Sequence, residues 1–483
     1  MVILGSNFNM KRFIVAGMCC LVQFLFYCTK LNMSIAMIAM VRQPNASGTE
    51  MSFLKDNTSV DDQHSSIPTF NWDERTQQYI LGAFYIGYTI TPIPGGYIAG
   101  IMGGKLVVGL AVIVVSLVSA LVPFAAGVST HLLIVLRVID GLAQGIGCSA
   151  LYVILGKWTV PNERSIMVSI AYNGMTLGTI CSSHLSGWIC TAYSLGGWPV
   201  SFYTYGVFGF LWLLIWATLI YETPSTDPLI TKNELKYFNN TEQKANVKYT
   251  SVPWKDIFTS PAVWAVAIGY TAYDFGWYLA ITEFPIFLSS ILGYDARKAG
   301  FLTSVPSLVR LPVVLISAFC ADSVIRRDIL SILNTRKLFV VIDLGVSSVC
   351  FIVLSQVGES VVASMLLIIL IFCAFGFNPA SLSTNALDLS PKYSGIIIGV
   401  VIMVSSTTGF VGPFILGELI THNNTFGQWS ILFMITSAVL FFGMVFFLIF
   451  GDAEEQGWSP ATDPGEMKVL LNKIESSDSA ISE

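Results

Sequence analysis

The chain has 483 residues, and its composition is that of a protein dissolved in lipid. Hydrophobic residues make up 54% of it and charged residues only 11%, against roughly a quarter charged in soluble domains. This composition excludes a disordered chain, a nucleic-acid-binding protein and a disulfide scaffold. The 25 basic and 30 acidic residues give a net charge of -5, which is informative only through where the charges lie.

Apolar segments predict an all-α, polytopic membrane protein. An α-helix needs about 20 apolar residues to cross the hydrocarbon core of a bilayer, and twelve segments have that character. We number them spans one to twelve in chain order: 13–41, 76–100, 105–127, 130–155, 165–192, 199–221, 261–291, 299–321, 337–356, 361–387, 393–420 and 428–451.

A polar stretch between spans six and seven divides the spans into two sets of six. The predicted parts are an N-terminal six-helix bundle at 1–221, a linker at 222–260, a C-terminal six-helix bundle at 261–452 and a tail at 453–483. Small residues followed by a base come after span two, ending at Lys105, and again after span eight, ending at Arg327. This faint repeat indicates two pseudo-equivalent bundles around a central cavity.

The lysines and arginines predict the orientation. If both termini and the linker are cytoplasmic, seventeen of these bases lie on the cytoplasmic side and five on the other, as the positive-inside rule requires. N-glycosylation sequons fit this orientation, since Asn45 and Asn57 lie in the long outward loop after span one and Asn423 lies in the last outward loop.

Ionisable side chains inside spans are costly and are therefore candidates for function. The sequence places these in spans: Lys30, Arg137, Asp140, Asp274, Glu283, Arg310, Asp343, Asp388 and Glu418. We expect Glu283, Asp343 and Asp388 to lie near span ends and reach water. Lys30, Arg137, Asp140 and Arg310 fall deeper by count.

Span four carries the most informative pattern. Arg137, Asp140 and Gln144 share one helical face by their spacing. One interpretation is an Arg–Asp pair that only holds helices together. The other is an anion site in which Arg137 binds the solute and Asp140 competes with it and takes up a coupling cation. We favour the second interpretation because Lys30 adds another deep positive charge.

Further polar residues could line the same path or could simply pack helices. Tyr27 and Asn32 lie in span one and Asn173 in span five, while Asp274 and Tyr278 lie one turn apart in span seven. We predict substrate contacts for Tyr27, Asn32, Asn173 and Tyr278, and a role in ion coupling for Asp274 and Gln144.

Signatures of enzymes and of nucleotide-driven pumps are missing from the sequence. The run that ends at Lys105 lacks the spacing of a phosphate-binding loop, and there is neither a GxSxG elbow nor a Cys/His pair. The nine cysteines and four histidines have no metal-ligand spacing. We therefore predict no enzyme activity, no cofactor and no metal, and we expect transport to draw on an ion gradient or on voltage.

Several stretches resemble the anion:cation symporter family of the major facilitator superfamily, the family of sialin, vesicular glutamate transporters and type I sodium–phosphate cotransporters. The resemblance runs from about residue 11 to residue 458. It is carried by residues 27–36, 71–73, 82–88, 94–97, 137–145, 158–164, 278–285 and 385–393.

The resemblance implies twelve helices in two bundles, alternating access, an anionic cargo and coupling to protons, sodium or membrane potential. The family's anion-binding arginine of span four is Arg137 here, whereas Lys30 stands where the family has another arginine, so the charge remains and the bidentate fork is lost. Gln144 replaces the family's acidic residue one turn beyond Arg137. We hypothesise that Asp140, on the same face, has taken over the coupling role. Tyr152 stands where some members have a histidine in span four, and Leu81 stands where the glutamate transporters have a histidine in span two. Both differences argue against a vesicular glutamate transporter.

The predicted function is secondary active transport of inorganic phosphate or small organic anions, coupled to Na⁺ or H⁺. The alternatives are a voltage-driven vesicular or lysosomal carrier of acidic amino acids or sialic acid, and a transport-dead receptor or scaffold. The predicted partners are a small anionic solute and the lipid bilayer, with no nucleic acid. The membrane is the plasma membrane or an endolysosomal or vesicular one. The tail carries an acidic dileucine pattern of the endolysosomal sorting type at Glu466, Leu470 and Leu471.

Overall fold

The computed structural model describes residues 11–41, 68–192, 196–240, 252–284, 287–288, 291–292, 296–357, 360–409 and 425–458. The predicted glycosylation sites Asn45, Asn57 and Asn423, and the sorting residues Glu466, Leu470 and Leu471, lie outside these residues.

Helices form almost all of the described chain. In chain order they are α1 (Lys11–Met40), α2 (Glu74–Ile90), α3 (Pro92–Met102), α4 (Gly104–Val128), α5 (Thr130–Trp158), α6 (Arg164–Cys181), α7 (Gly187–Thr191), α8 (Trp198–Leu219), α9 (Lys232–Asn240), α10 (Trp254–Thr259), α11 (Pro261–Thr282), α12 (Ala296–Arg326), α13 (Ile332–Val340), α14 (Ser347–Val357), α15 (Val361–Phe375), α16 (Leu382–Leu389), α17 (Ser394–Ser405) and α18 (Phe426–Phe450). Two π-helical segments continue longer helices, at Ser182–Ser186 and Val341–Val346.

Each predicted span contains helix within its described residues, and residues 285–286 and 289–290 of span seven and 410–420 of span eleven lie outside them. Eight helical stretches of the described residues are long and apolar enough to cross a membrane. The other four spans correspond to α2 with α3, α6 with α7, α11, and α17. Span two is interrupted at Thr91, because Pro92 lacks the N–H that a continuous helix would need and instead begins α3.

Helix packing groups the spans into two sets. In the N-terminal set α1 packs on α6 and α8, while α5 packs on α2 and α4. In the C-terminal set α18 packs on α11 and α14, and α15 packs on α12 and α14. The two sets meet where α17 contacts α3 and α5, and where α12 contacts α6. The boundaries 1–221, 222–260, 261–452 and 453–483 stay predictions.

Glycines bring the two sets into backbone contact at the end of the molecule that bears Lys11 and α9, which we call the linker side. A Cβ on Gly96 would overlap the carbonyl of Gly395, and a Cβ on Gly399 would overlap the backbone of Pro92. Only a residue without a side chain allows α3 and α17 to approach this closely. Gly96 belongs to the small residues that precede Lys105 in the sequence repeat, and in the structure it is a helix-packing residue.

Gly96→Ala is expected to destabilise this conformation by about 1–3 kcal/mol, because the new methyl group forces two backbones apart. The melting temperature of the purified protein should fall. Gly17→Ala is the control, because nothing lies within 4 Å of a Cβ built at Gly17. Equal melting temperatures for the two variants would contradict the close contact.

Candidate functional site

A small cavity lies between the two sets of helices, near their middle. Its volume is about 20 Å³, which has room for about one water molecule. Its lining is polar and rich in phenol groups: Gln23, Tyr27, Tyr88, Cys148, Tyr152, Tyr172, Met175, Tyr270, Asp274, Tyr278, Ile402, Ser405 and Ser406. Spans one, two, four, five, seven and eleven all contribute. In this conformation the cavity therefore has no room for an anion larger than water.

Lys30 reaches the edge of this cavity inside an aromatic cage, which we define as Tyr27, Phe84, Tyr85, Tyr88 and Tyr278. Its ammonium nitrogen lies 4.9–5.5 Å from the five ring centres. It donates a hydrogen bond to the Tyr278 hydroxyl at 3.2 Å, across the boundary between the two sets of helices.

Lys30 carries a positive charge that no acid neutralises directly. Lys30 is only 6% exposed. Among the described residues, no carboxylate oxygen lies within 4 Å of its nitrogen. A ring face stabilises a desolvated cation by about 2 kcal/mol or more, but a ring is neutral and leaves the net charge in place. The cage therefore holds a charge that remains attractive to an anion.

Arg137 is held differently, although it lies beside the same ring. Its guanidinium carbon is 5.1 Å from the centre of the Phe84 ring, and Nη1 donates to Asp140 Oδ2 at 3.0 Å. Gln144 Nε2 donates to Asp140 Oδ1 and to the Thr29 hydroxyl, both at 3.0 Å. The three residues of the predicted face on span four thus form one buried network, in which Asp140 neutralises Arg137.

Asp274 lines the cavity together with Tyr270 and Tyr278, which lie one turn to either side of it. It is close enough to Lys30 for the opposite charges to attract. No lysine or arginine nitrogen of the described chain lies within 4 Å of it. Asp274 is the acidic residue that directly faces the central space.

Two predicted contact residues lie away from this cavity. Asn173 Nδ2 donates to the carbonyl of Leu311 at 3.4 Å, between span five and span eight. Asn32 is fully buried on the side of α1 opposite Lys30, and neither of its amide atoms has a hydrogen-bond partner among the described residues. Tyr27 and Tyr278 do line the cavity.

Buried ion pairs lock the two sets together on the linker side. Asp388 accepts from Arg164 at 3.2 Å and from Arg336 at 2.8 Å. Asp322 accepts from the backbone N–H groups of Ser165 and Ile166, at the N-terminus of α6, where a carboxylate is favoured by the helix dipole. Arg164 and α6 belong to the N-terminal set, and both carboxylates belong to the C-terminal set.

The expectation that Glu283, Asp343 and Asp388 reach water was wrong. All three are buried, with exposed fractions of 4%, 0% and 4%. Counting residues from the span ends failed because Asp388 is covered by two arginines and Asp343 lies within the π-helical segment of span nine.

Sequence reasoning missed most of the aromatic cage. Phe84, Tyr85 and Tyr88 lie within residues 82–88 of span two. That motif supports the resemblance to the family, but the sequence alone does not indicate that its rings surround a cation. Their spacing of i, i+1 and i+4 places three rings on adjoining faces of one helix. Aromatic residues at that spacing normally pack in lipid or in a core, so the signal becomes specific only once Lys30 is known to face them.

The sequence pattern of the Major Facilitator Superfamily matches residues 19–413. The chain belongs to that superfamily. It is 31% identical over 453 residues to sialin of Ovis aries, covering 92% of this chain and 89% of the relative. It is 31% identical over 465 residues to sodium-dependent phosphate transport protein 3 of Mus musculus, covering 94% and 96%.

The fold comparison agrees. The solved structure of the superfamily's proton:xylose symporter XylE matches with a TM-score of 0.68 over 96% of this chain and 100% of that one, at 12% identity. The predicted all-α, polytopic major facilitator fold and the resemblance to the anion:cation symporters are therefore confirmed. The chain is a multi-pass membrane transporter, as are its relatives, which agrees with the prediction that it is not an enzyme.

Asp388→Asn should leave Arg164 and Arg336 buried beside a neutral group and so open the linker side. Breaking a buried ion pair costs about 3–5 kcal/mol, so the melting temperature should fall strongly. Asp328→Asn makes the same chemical change at an exposed residue and should leave the melting temperature unchanged. Unchanged stability in both variants would contradict the role of Asp388.

Proposed function

We propose that this transporter moves inorganic phosphate or a small organic anion by alternating access, and that Lys30 binds the anion. The observation that carries the proposal is the caged ammonium group, which lies at the boundary between the two bundles and has no carboxylate partner within the described parts of the chain. An anion drawn to Lys30 would also meet the hydroxyl groups of Tyr27 and Tyr278. It would therefore contact both bundles at once.

The kind of cation favours a compact anion. An ammonium group is a point charge with three donors, whereas a guanidinium group presents a planar fork suited to a carboxylate. Tetrahedral phosphate offers oxygens in every direction and suits the point charge. The likeness to a protein named as a sodium-dependent phosphate transporter supports the same cargo.

The closed conformation supports a transport cycle. The linker side is sealed by Asp388, Asp322 and the contact between Gly96 and Gly395, and the central space is too small for the anion. The two bundles must move apart at one end before an anion enters. In the proposed orientation the linker side is cytoplasmic, and the membrane is the plasma membrane or an endolysosomal one.

Asp140 supplies the proposed coupling. While it is ionised, it occupies Arg137 through the 3.0 Å ion pair. When Asp140 binds a proton or meets Na⁺, Arg137 is released to add a second positive charge beside Phe84. Cation and anion would then bind together, which is the requirement for symport. Asp274 adds a negative charge at the cavity wall, near Lys30. Gln144 donates a hydrogen bond that stabilises the Asp140 carboxylate.

Uptake of radiolabelled phosphate, glutamate and sialic acid into proteoliposomes under imposed sodium, proton and voltage gradients tests the function. Phosphate uptake driven by a cation gradient is the expected result. Uptake of glutamate or sialic acid driven by voltage alone would favour the alternative carrier. A transport-dead scaffold would show no uptake and no shift of melting temperature with any of the anions.

Lys30→Gln should lower anion uptake by about 10- to 100-fold, because a charge-assisted hydrogen bond contributes about 1.5–3 kcal/mol. Lys30→Arg should retain part of the activity. Lys105→Gln is a matched control, since Lys105 also lies over a tyrosine ring, that of Tyr221, but far from the cavity on the linker side. Equal uptake by the Lys30→Gln protein and the control would contradict the proposal.

Asp140→Asn should abolish gradient-driven uptake while anion exchange without a gradient continues, because the variant no longer binds the coupling cation. The ratio of driven uptake to exchange is the measurement, since it does not depend on how much protein folds. An undiminished ratio would show that the coupling site lies elsewhere.

A further inference from the structure

A second buried group of polar and charged residues lies in the C-terminal bundle, outside the cavity lining. It consists of Arg310 on span eight, Asp343 on span nine, Tyr273 on span seven and Asn378 before α16. Asp343 is 0% exposed and Arg310 only 2%. The site proposed above makes no use of these residues, and lipid-embedded charges are costly to keep without a use.

Asp343 has little to stabilise a negative charge. Its Oδ2 atom accepts a hydrogen bond from Asn378 Nδ2 at 3.1 Å. Its Oδ1 atom is buried and has no hydrogen-bond partner among the described residues. Arg310 attracts it electrostatically, but the ion pairs found in the described chain do not include the two. A buried carboxylate in this setting is far cheaper to hold with a proton on Oδ1.

Arg310 is turned toward the other bundle instead. Its Nη1 atom donates to the hydroxyl of Thr176 on span five, and Nη2 donates to the Tyr273 hydroxyl at 3.0 Å. Its guanidinium carbon lies 4.5 Å from the centre of the Trp277 ring, and its Nε atom has no partner in the described part of the chain. The bond to Thr176 joins the two bundles, so it must respond when they rock against each other.

We propose that Asp343 is a proton-binding site, and that its proton decides whether Arg310 binds Thr176 of the other bundle or Asp343 of its own. With a proton bound to Oδ1, Asp343 is neutral and Arg310 keeps its contact with Thr176, as in this conformation. When the proton leaves to solvent, the carboxylate attracts the guanidinium, and the link between the bundles is broken. One proton is bound and one released in each cycle; the O–H bond on Asp343 is the only covalent bond that changes, while Arg310 exchanges its hydrogen bond to Thr176 for one to Asp343.

The surroundings favour a proton over a metal cation. A hard cation takes about six oxygen ligands, whereas Asn378 turns an N–H donor toward Asp343.

The helices packed on the π-helical segment Val341–Val346 carry the other groups that could titrate or bear a charge near Asp343. Helix α11 presents Tyr273. Helix α13 carries Lys337 at its linker-side end and Arg336, which is held by Asp388. The helices α14 and α15 carry the thiols of Cys350 and Cys373, and the stretch 426–450 carries no ionisable group.

Trp277 provides a readout that needs no cargo, because Arg310 stacks on its ring. In the full-length protein in lipid nanodiscs, tryptophan fluorescence measured from about pH 5 to pH 9 should show a one-proton transition. Trp277→Phe should remove it, which assigns the signal. Asp343→Asn and Arg310→Gln should each remove it as well, and Asp328→Asn, an exposed carboxylate, should keep it.

The proposal is overturned if the transition persists in Asp343→Asn, or in Arg310→Gln should the first variant fail to fold. It is also overturned if Asp274→Asn alone removes the transition, or if the wild-type protein shows none.

Since the role in transport rests on the function proposed above, a second measurement uses phosphate. Asp343→Asn should lower uptake driven by a pH gradient at least about tenfold and leave phosphate binding unchanged. Failure of the wild type to bind phosphate would sink the proposed cargo but not the proton site.

Discussion

Burying the ammonium group of Lys30 removes it from water at a cost of several kcal/mol, and the way the protein offsets that cost shapes the rest of the site. A carboxylate within 4 Å would stabilise Lys30 best and would also make it useless to an anion. Five ring faces and the oxygen of Tyr278 stabilise it less completely. The remaining attraction is directed at the central cavity, where any anion that enters must pass.

The contrast with Arg137 shows that burial alone does not make a binding charge. Both cations lie against Phe84, and both are almost fully buried. Arg137 is paired with Asp140, whereas Lys30 has no ion pair among the described residues and is the cation to which we assign the anion. In the proposed function, such a site would bind its anion more tightly when a cation has already neutralised Asp140, which is the thermodynamic basis of coupling.

The fold was largely predictable from the sequence because span length and hydropathy are set by the thickness of the bilayer. The face shared by Arg137, Asp140 and Gln144 was also predictable, since 3.6 residues per turn fix it. Contacts between distant spans were not. The residues around Asp388 in the sequence do not indicate that it pairs with Arg164. Nor do those around Thr91 indicate that the second half of span two packs on α17. Asn32 is a different case, because residues two apart on a helix point in opposite directions, and its spacing from Lys30 alone argues against a shared site.

Lys30 and Arg310 are the buried cations of the described residues that have no ion pair, and they are placed reciprocally. Lys30 of the N-terminal bundle donates to Tyr278 of the C-terminal bundle, and Arg310 of the C-terminal bundle donates to Thr176 of the N-terminal bundle. Each contact costs little to break, because a neutral hydroxyl group is a weak partner for a charge. A strong ion pair at either place would hold the bundles in one conformation. Strong ion pairs lie instead on the linker side, where those of Asp388 keep the two bundles together while no anion is bound. In the proposed cycle, the strength of each contact thus follows from whether it must keep the conformation or give way, Lys30 to the cargo and Arg310 to Asp343.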